Sequence, residues 1–278
     1  MLRAATTSLT LQRDAMTLAS SGVADIAEGL GNWRIWHMLG TGDLRRRYAR
    51  SRIGQFWLSL STGLSVIILG FVWSALWNVA PGSLLPHLTV SILIWQFMSS
   101  VITEATEIFP SNRHLLLSQR LACSTLIFSS VYKNLIILAH NAVIIVLVFL
   151  ISQTPITSQI LLLVPALLLA AFTAFWLSYS VGIICARFRD VAHAATSVLQ
   201  LAFYVTPVIW KPEFLSDQYR WLLLFNPFAS YITIIRSAVI GGEVPIVEWA
   251  TAAFIGLVGF ILSLILIGKY KRRLIFWI

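Results

Sequence analysis

Between Phe56 and Gly268 the chain holds six stretches of 19–26 residues, near 56–77, 88–108, 126–151, 160–185, 192–210 and 250–268. Their only acidic, lysine or arginine side chains are Glu104, Glu107 and Lys133. A helix of about 20 apolar residues rises roughly 30 Å, the thickness of a bilayer's hydrocarbon core, and satisfies its backbone hydrogen bonds without water. The pattern therefore predicts an all-α polytopic membrane protein with six transmembrane helices. Composition agrees, since only 11% of the 278 residues are charged, against roughly a quarter in a soluble domain. The net charge of +9 does not point to nucleic acid, because the cations flank the apolar stretches instead of covering a polar domain. Cys123 and Cys185 stand alone, with no disulfide framework and no zinc-ligand spacing.

Orientation follows from Leu44–Trp57, LRRRYARSRIGQFW, where Arg45, Arg46, Arg47, Arg50 and Arg52 precede the first apolar stretch. Basic residues beside a span stay on the cytoplasmic side. On that assignment the inside segments hold 16 of the 20 lysines and arginines, and the outside loops only Lys211, Arg220 and Arg236. Both termini are then cytoplasmic. Residues 1–22 are expected to be a mobile tail, 23–55 a cytoplasmic interfacial helix and basic anchor, 56–268 the six-helix domain, and 269–278 a cytoplasmic tail. Ile26, Leu30, Trp33, Ile35, Trp36 and Leu39 recur at mostly helical spacing, which predicts an amphipathic helix in the headgroup plane, ended by Gly40 to Gly42. Outside, Lys211 to Trp249 carries two apolar segments too short to span, separated by Asn226 and Pro227; these read as re-entrant helices.

Glu104 and Glu107 share one helical face near the inner end of the second stretch, and Lys133 lies a few turns into the third. An ion pair between neighbouring helices explains them more simply than a proton relay, and interhelical hydrogen bonding accounts for His140 and Asn141. Trp57, Trp77, Trp210 and Trp277 sit where an interfacial belt would place them, whereas Trp73, Trp95, Phe97, Phe203 and Tyr204 are displaced from the boundaries. Aromatic faces stack on sugar rings, so the displaced set are candidates for a glycan-lined pore; packing against lipid accounts for them equally well. Gly268-Lys269 has Ser263 and Tyr270 where an ATP-binding loop needs glycine and serine or threonine. Any ATP is hydrolysed by a partner.

Taken together, the motifs resemble the membrane-spanning subunit of type 2 ATP-binding-cassette exporters for polysaccharides, the group containing O-antigen, capsule and teichoic acid permeases. The matching positions are Arg47, Tyr48, Ser51, Gly54 and Trp57; Arg189-Asp190-Val191; Pro207 within YVTPVIW; and Asn226-Pro227 followed by Arg236. They cover most of residues 44–273 in the family's order. Thr206-Pro207-Val208 departs from the family's usual Ser-Pro-Ile, and Ser118 to Leu121 depart from its loop pattern.

The resemblance implies two copies of this subunit forming a pore above two ATPase subunits, which hold the ATP and magnesium; this chain binds no cofactor or metal and no nucleic acid. It implies export of a lipid-linked polysaccharide across a bacterial inner membrane. Arg45, Arg46, Arg47, Arg50, Arg52, Asn112, Arg113, His114 and Gln119 would then lie near the ATPase. Pro207, Trp210, Asn226, Pro227 and Arg236 would belong to an outer gate, and Arg189 and Asp190 to a structural loop. A type 2 permease for a small lipid or drug, an ion-coupled secondary transporter and a lipid-modifying membrane enzyme are the competing readings. The last lacks a second carboxylate beside Asp190.

Overall fold

The computed structural model describes residues 19–48, 56–119, 121–224 and 226–278, and all regular structure among them is helical. The tail expected over 1–22 falls mainly outside the described residues; residues 19–22 already belong to the first helix, α1 (residues 19–31). Arg50 and Arg52 also lie outside them, as do Ser51 and Gly54 of the arginine-rich motif. The chain continues as α2 (Trp33–Tyr48), α3 (Phe56–Trp77), α4 (Pro81–Ser111), α5 (Arg113–Gln119), α6 (Cys123–Ser152), α7 (Leu163–Arg187), α8 (Asp190–Val205), α9 (Trp221–Leu224), α10 (Pro227–Ile240) and α11 (Ile246–Leu274). Five of these, α3, α4, α6, α7 and α11, are long and apolar enough to cross a membrane. The protein is a multi-pass membrane protein.

The fifth expected span is shorter than the other five. α8 has 16 residues, about 24 Å at 1.5 Å per residue. Pro207 sets its end: the residue before a proline is driven out of the helical region, and Thr206 adopts φ −81°, ψ 138°. The chain nevertheless runs from one end of the bundle to the other. Arg189 follows the end of α7, whose Gly182 packs on Phe109 near the end of α4, while the Trp210 carbonyl lies 3.2 Å from His87 Nε2 near the start of α4.

α4 is the central helix. In its most apolar stretch 78% of residues are buried, against 22–28% in the other four long helices, because α3, α6, α7, α8 and α10 all pack on it. Hydroxyls inside the bundle donate back along their own helices, as Thr89 Oγ1 does to the Leu85 carbonyl at 2.7 Å and Ser99 Oγ to the Trp95 carbonyl at 2.7 Å. α11 approaches α7 closely through small residues, Gly256 lying against Leu169, Phe172 and Thr173 and Ser263 Oγ donating to the Trp176 carbonyl at 3.3 Å. A Cβ on Gly259 would fall 2.2 Å from the Trp176 ring. α10, expected as a re-entrant segment, is packed among α4, α7 and α11. Its Tyr231 hydroxyl donates to the Ala252 carbonyl at 2.9 Å and lies 2.7 Å from Thr173 Oγ1.

The N-terminal region departs from expectation in two ways. Gly40 to Gly42 do not end the helix: the break falls at Asn32, and α2 runs on through Gly40 to Tyr48. Gly40 is buried because α2 packs on α6, where a Cβ would meet the Ser129 carbonyl at 3.0 Å. Close helix approach, not a turn, is what this glycine serves. Secondly, Asp25 is fully buried. Its carboxylate accepts from the Cys123 and Ser124 N–H groups at 3.3 and 3.0 Å and from the Tyr179 hydroxyl at 2.7 Å, and it pairs with Lys271 Nζ at 2.7 Å. It thus supplies the anion that the open N-terminus of α6 favours and ties α1, α6, α7 and α11 together. At the other end of the chain, α11 extends past Gly268 to Leu274, and Trp277 packs on Tyr270 with ring centroids 5.6 Å apart.

Candidate functional site

α8 and α4 form the wall of an open groove of about 760 Å³. On α8, His193, Thr196, Ser197, Gln200 and Tyr204 fall at i, i+3, i+4, i+7 and i+11, which puts them on one stripe, and all are exposed. α4 contributes Trp95, Ser99 and Thr103. Trp95 packs against Phe203 and Phe228 with centroids 5.5 and 5.2 Å apart, and Phe203 against Tyr204 at 5.6 Å. Three of the five displaced aromatics therefore converge here. Trp95 is only 8% exposed and serves as backing, while Tyr204, 68% exposed, presents its ring. Thr196 and Ser197 donate to the Ala192 and His193 carbonyls, so their oxygens face the groove as acceptors. The other two aromatics lie elsewhere. Phe97 is buried beside a smaller cavity, and Trp73 stacks on Trp77 at 4.5 Å, which in turn meets Phe214.

At the end of this groove beside the start of α4, the five residues expected at a gate assemble. Asn226 Oδ1 caps α10 by accepting from the Phe228 and Ala229 N–H groups at 3.0 and 3.3 Å, with Pro227 at the first helical position. Its amide donates to Thr206 Oγ1 at 2.9 Å, which joins the start of α10 to the end of α8. Arg236 Nη1 reaches the Pro207 carbonyl at 3.2 Å and Ser91 Oγ at 3.4 Å, with His87 Nε2 3.5 Å away. Trp210 Nε1 donates to the Tyr204 carbonyl at 3.1 Å. One guanidinium thus holds a non-helical turn against α4. His87 and Ser91 were not anticipated, since a lone histidine and serine in an apolar run carry no local signal.

The cytoplasmic candidates separate into two groups. Asn112 terminates α4, donating to the Ile108 carbonyl at 2.8 Å, and α5 projects Arg113, His114 and Gln119 outward while burying Leu116. Arg45, Arg46 and Arg47 are exposed on the last turn of α2, with Arg46 paired to Asp43. α2 lies along α6 so that Arg47 shares a cavity of about 190 Å³ with Glu104, Asn134 and Asn141. From Cys123 to Asn134 is 11 residues along α6, or about 16 Å. The basic run and α5 therefore do not form one patch. Between the two groups, Glu104 pairs with Lys133 at 3.0 Å and accepts from Ser130 Oγ and Asn134 Nδ2 at 2.7 and 2.9 Å. The expected interhelical ion pair is present, with its acceptor capacity taken by three donors. Glu107 and His140 are exposed; Asn141 is buried and accepts from Ser59 Oγ at 2.8 Å. Arg189 and Asp190 are exposed where α8 begins, Asp190 placing its acid in the helix's first turn.

The structure is thus a bundle with a polar, aromatic groove, an arginine-held turn at one end and a short helix projecting at the other. A profile of the ABC-2 type transporter family matches residues 36–240, most of the chain. The chain belongs to that family. Among characterised proteins it is similar to an O-antigen export system permease protein RfbA of Klebsiella pneumoniae, 24% identical over 83% of this chain and 90% of the relative. A protein of the same name from Myxococcus xanthus is 25% identical over 69% of this chain and 74% of the relative. As an ABC-2 membrane permease the chain is a transport subunit whose family lacks the ATPase domain, and membership implies ATPase partner subunits.

Within this ABC-2 permease, the groove residues that sequence reading passed over are Ser99, Thr103, Thr196, Ser197 and Gln200. Their signal was available in the helical register of α8, where every polar residue from His193 to Gln200 lies on Tyr204's side. Asp25 carried no such mark. One acid in a mildly amphipathic helix reads as a solvated residue until its four partners, on three other helices, are in place.

Proposed function

We propose that this permease exports a lipid-linked polysaccharide of the O-antigen class across a bacterial inner membrane, as two copies joined to two ATPases that hold ATP and magnesium. The observation that carries the reading is the α4/α8 groove. A helix traversing a bilayer with an exposed stripe of two hydroxyls, an amide and a tyrosine ring needs a hydrated surface beside it. A second copy that closes the groove into a pore supplies that surface. The exposed Tyr204 ring and the half-buried Phe203, set among oxygen acceptors, suit a sugar chain, which offers C–H faces to rings and hydroxyls to acceptors. The similarity to O-antigen export permeases supports the same cargo class.

In this reading α8 and Thr206–Trp210 make the sixth crossing, α9 and α10 form the re-entrant outer segment, and both termini are cytoplasmic. α1 and α2 lie at the inner interface. α5 faces the ATPase, and Arg45 to Arg47 line the approach to the pore. Arg236 holds the outer turn, and ATP closure shifts it. Export is tested by the glycan reaching the surface of cells carrying Tyr204→Ala or Gln200→Leu. Surface glycan is expected to fall several-fold while folded permease in the membrane stays constant. Parallel loss of both would assign these residues to packing, and full export would place the sugar path elsewhere.

A further inference from the structure

A second pocket, of about 460 Å³, lies between the C-terminal ends of α7 and α11. Arg187, Lys269 and Arg273 line it, with Ile184 and Leu266 one turn earlier on the same faces of α7 and α11. Lys269 and Arg273 are four residues apart on α11 and so share a face, an arrangement of like charges that is unfavourable by itself. Arg187 adds a third cation from α7. None of the three forms an ion pair among the described residues, whereas Lys271, on another face of the same turn, is already paired with Asp25 at 2.7 Å. Three converging cations without a carboxylate call for an anion.

The shape of the site narrows the anion's chemistry. The Arg187 guanidinium lies over the Trp277 and Phe188 rings, 5.0 and 5.1 Å from their centroids. Stacking on rings occupies its flat faces and leaves the N–H edge, whose fork matches the oxygens of a phosphate. The apolar wall continues into the exposed Ile184 and, along the same face of α11 as Leu266 and Lys269, to Leu262 and Val258. This face carries none of the polar residues of the α8 stripe, so it meets hydrocarbon. An occupant with a phosphate at the cytoplasmic end and an acyl chain along α11 satisfies both halves. We infer that this pocket binds the phosphate of an anionic bilayer phospholipid, with Arg187 as the fork and Lys269 and Arg273 flanking it. No residue of the pocket lines the α4/α8 groove, and the inference does not depend on the cargo.

The test is native mass spectrometry of the purified full chain titrated with dioleoyl phosphatidylglycerol or dioleoyl phosphatidylcholine. The wild-type chain is expected to prefer phosphatidylglycerol. With about 1 kcal/mol per basic residue at a lipid surface, the double variant Arg187→Gln, Lys269→Gln is expected to bind it roughly ten- to thirtyfold more weakly. Arg187→Lys keeps the charge without the fork and should lose less. Arg272→Gln, an exposed cation outside the pocket, should change nothing, and unaltered melting of each variant verifies folding. Equal phosphatidylglycerol affinity in wild type and double variant overturns the proposal. Inorganic phosphate binding as tightly as the lipid also overturns it, as does farnesyl diphosphate displacing the lipid at stoichiometric concentration, which would reassign the site to a diphosphate-linked lipid.

Discussion

Asp25 shows how one side chain can carry the seam between a peripheral helix and a membrane bundle. Its carboxylate takes two backbone N–H groups at the start of α6, the Tyr179 hydroxyl and Lys271. Removing one member of a buried pair costs about 3–5 kcal/mol, because the partners are left desolvated and unmatched. Lys271 keeps some access to water, with 29% of its side chain exposed, so the lower end of that range applies. Asp25→Ala is expected to lower the melting temperature of the purified chain by roughly 5–10 °C. Asp25→Asn, which retains an acceptor for the N–H groups and the hydroxyl, should fall between. Melting of Asp25→Ala within about 2 °C of wild type would mean that water or a neighbouring acceptor replaces the carboxylate. The second residue of this kind is Arg236, whose reach to the Pro207 carbonyl satisfies an acceptor outside any helix. Arg236→Met keeps the stem and removes the donors, and should reduce export more than it reduces folded yield. Loss of both in proportion would make Arg236 a folding residue only.

The helix α8 presents at the scale of an element what the pore reading requires. Its outward stripe is polar, while α11 presents Phe254, Leu257 and Leu262. A membrane-impermeant maleimide should therefore label Gln200→Cys in intact membranes at least tenfold faster than Leu262→Cys, since thiolate formation needs water. The native thiols give little background because Cys123 and Cys185 are buried. Comparable slow labelling at both positions would put α8 against lipid or protein and remove the groove from the pathway. Long elements such as α6 and α11 were legible in the sequence, since 20-odd apolar residues admit one structure in a bilayer, and so was the Glu104–Lys133 pair, because isolated charges in adjacent spans must meet. Pro207 was legible as a landmark, though not as the stop that shortens α8. Gly40 misled because the local preference of glycine for turns was overruled by packing of α2 on α6, a contact between residues some 90 positions apart. The two-part arrangement of the residues expected near the ATPase was hidden for the same reason: α2's path along α6 follows from Asp25, which pins α1 to the start of α6, and from Lys133, 3.8 Å from Asp43 of α2, not from any feature of the arginine run.

For the whole molecule, the decisive fact is that a single chain leaves the α8 stripe uncovered. Turning the Gln200 amide toward hydrocarbon would cost about 2 kcal/mol or more, and the His193 imidazole and the Tyr204 hydroxyl would add to it. A second copy related by a two-fold axis through the groove would set the two stripes face to face across water, which is the closed symmetric arrangement most soluble and membrane oligomers favour. The same axis would carry both copies of α5 to one end of the assembly, where each offers an exposed short helix anchored by one leucine, Leu116. With one ATPase docked on each α5, as proposed above, the assembly carries two ATPase chains. Gentle purification from native membranes is therefore expected to yield a complex whose mass equals two copies of this 31.0 kDa chain plus two ATPases. Leu116→Asp, which removes the anchor of α5, should release the ATPases and leave the permease pair intact. An active complex with one permease copy would contradict the shared pore, because no partner surface would then cover the stripe. A pair that keeps its ATPases after loss of the α5 anchor would shift the docking surface to α1 and the arginines of α2.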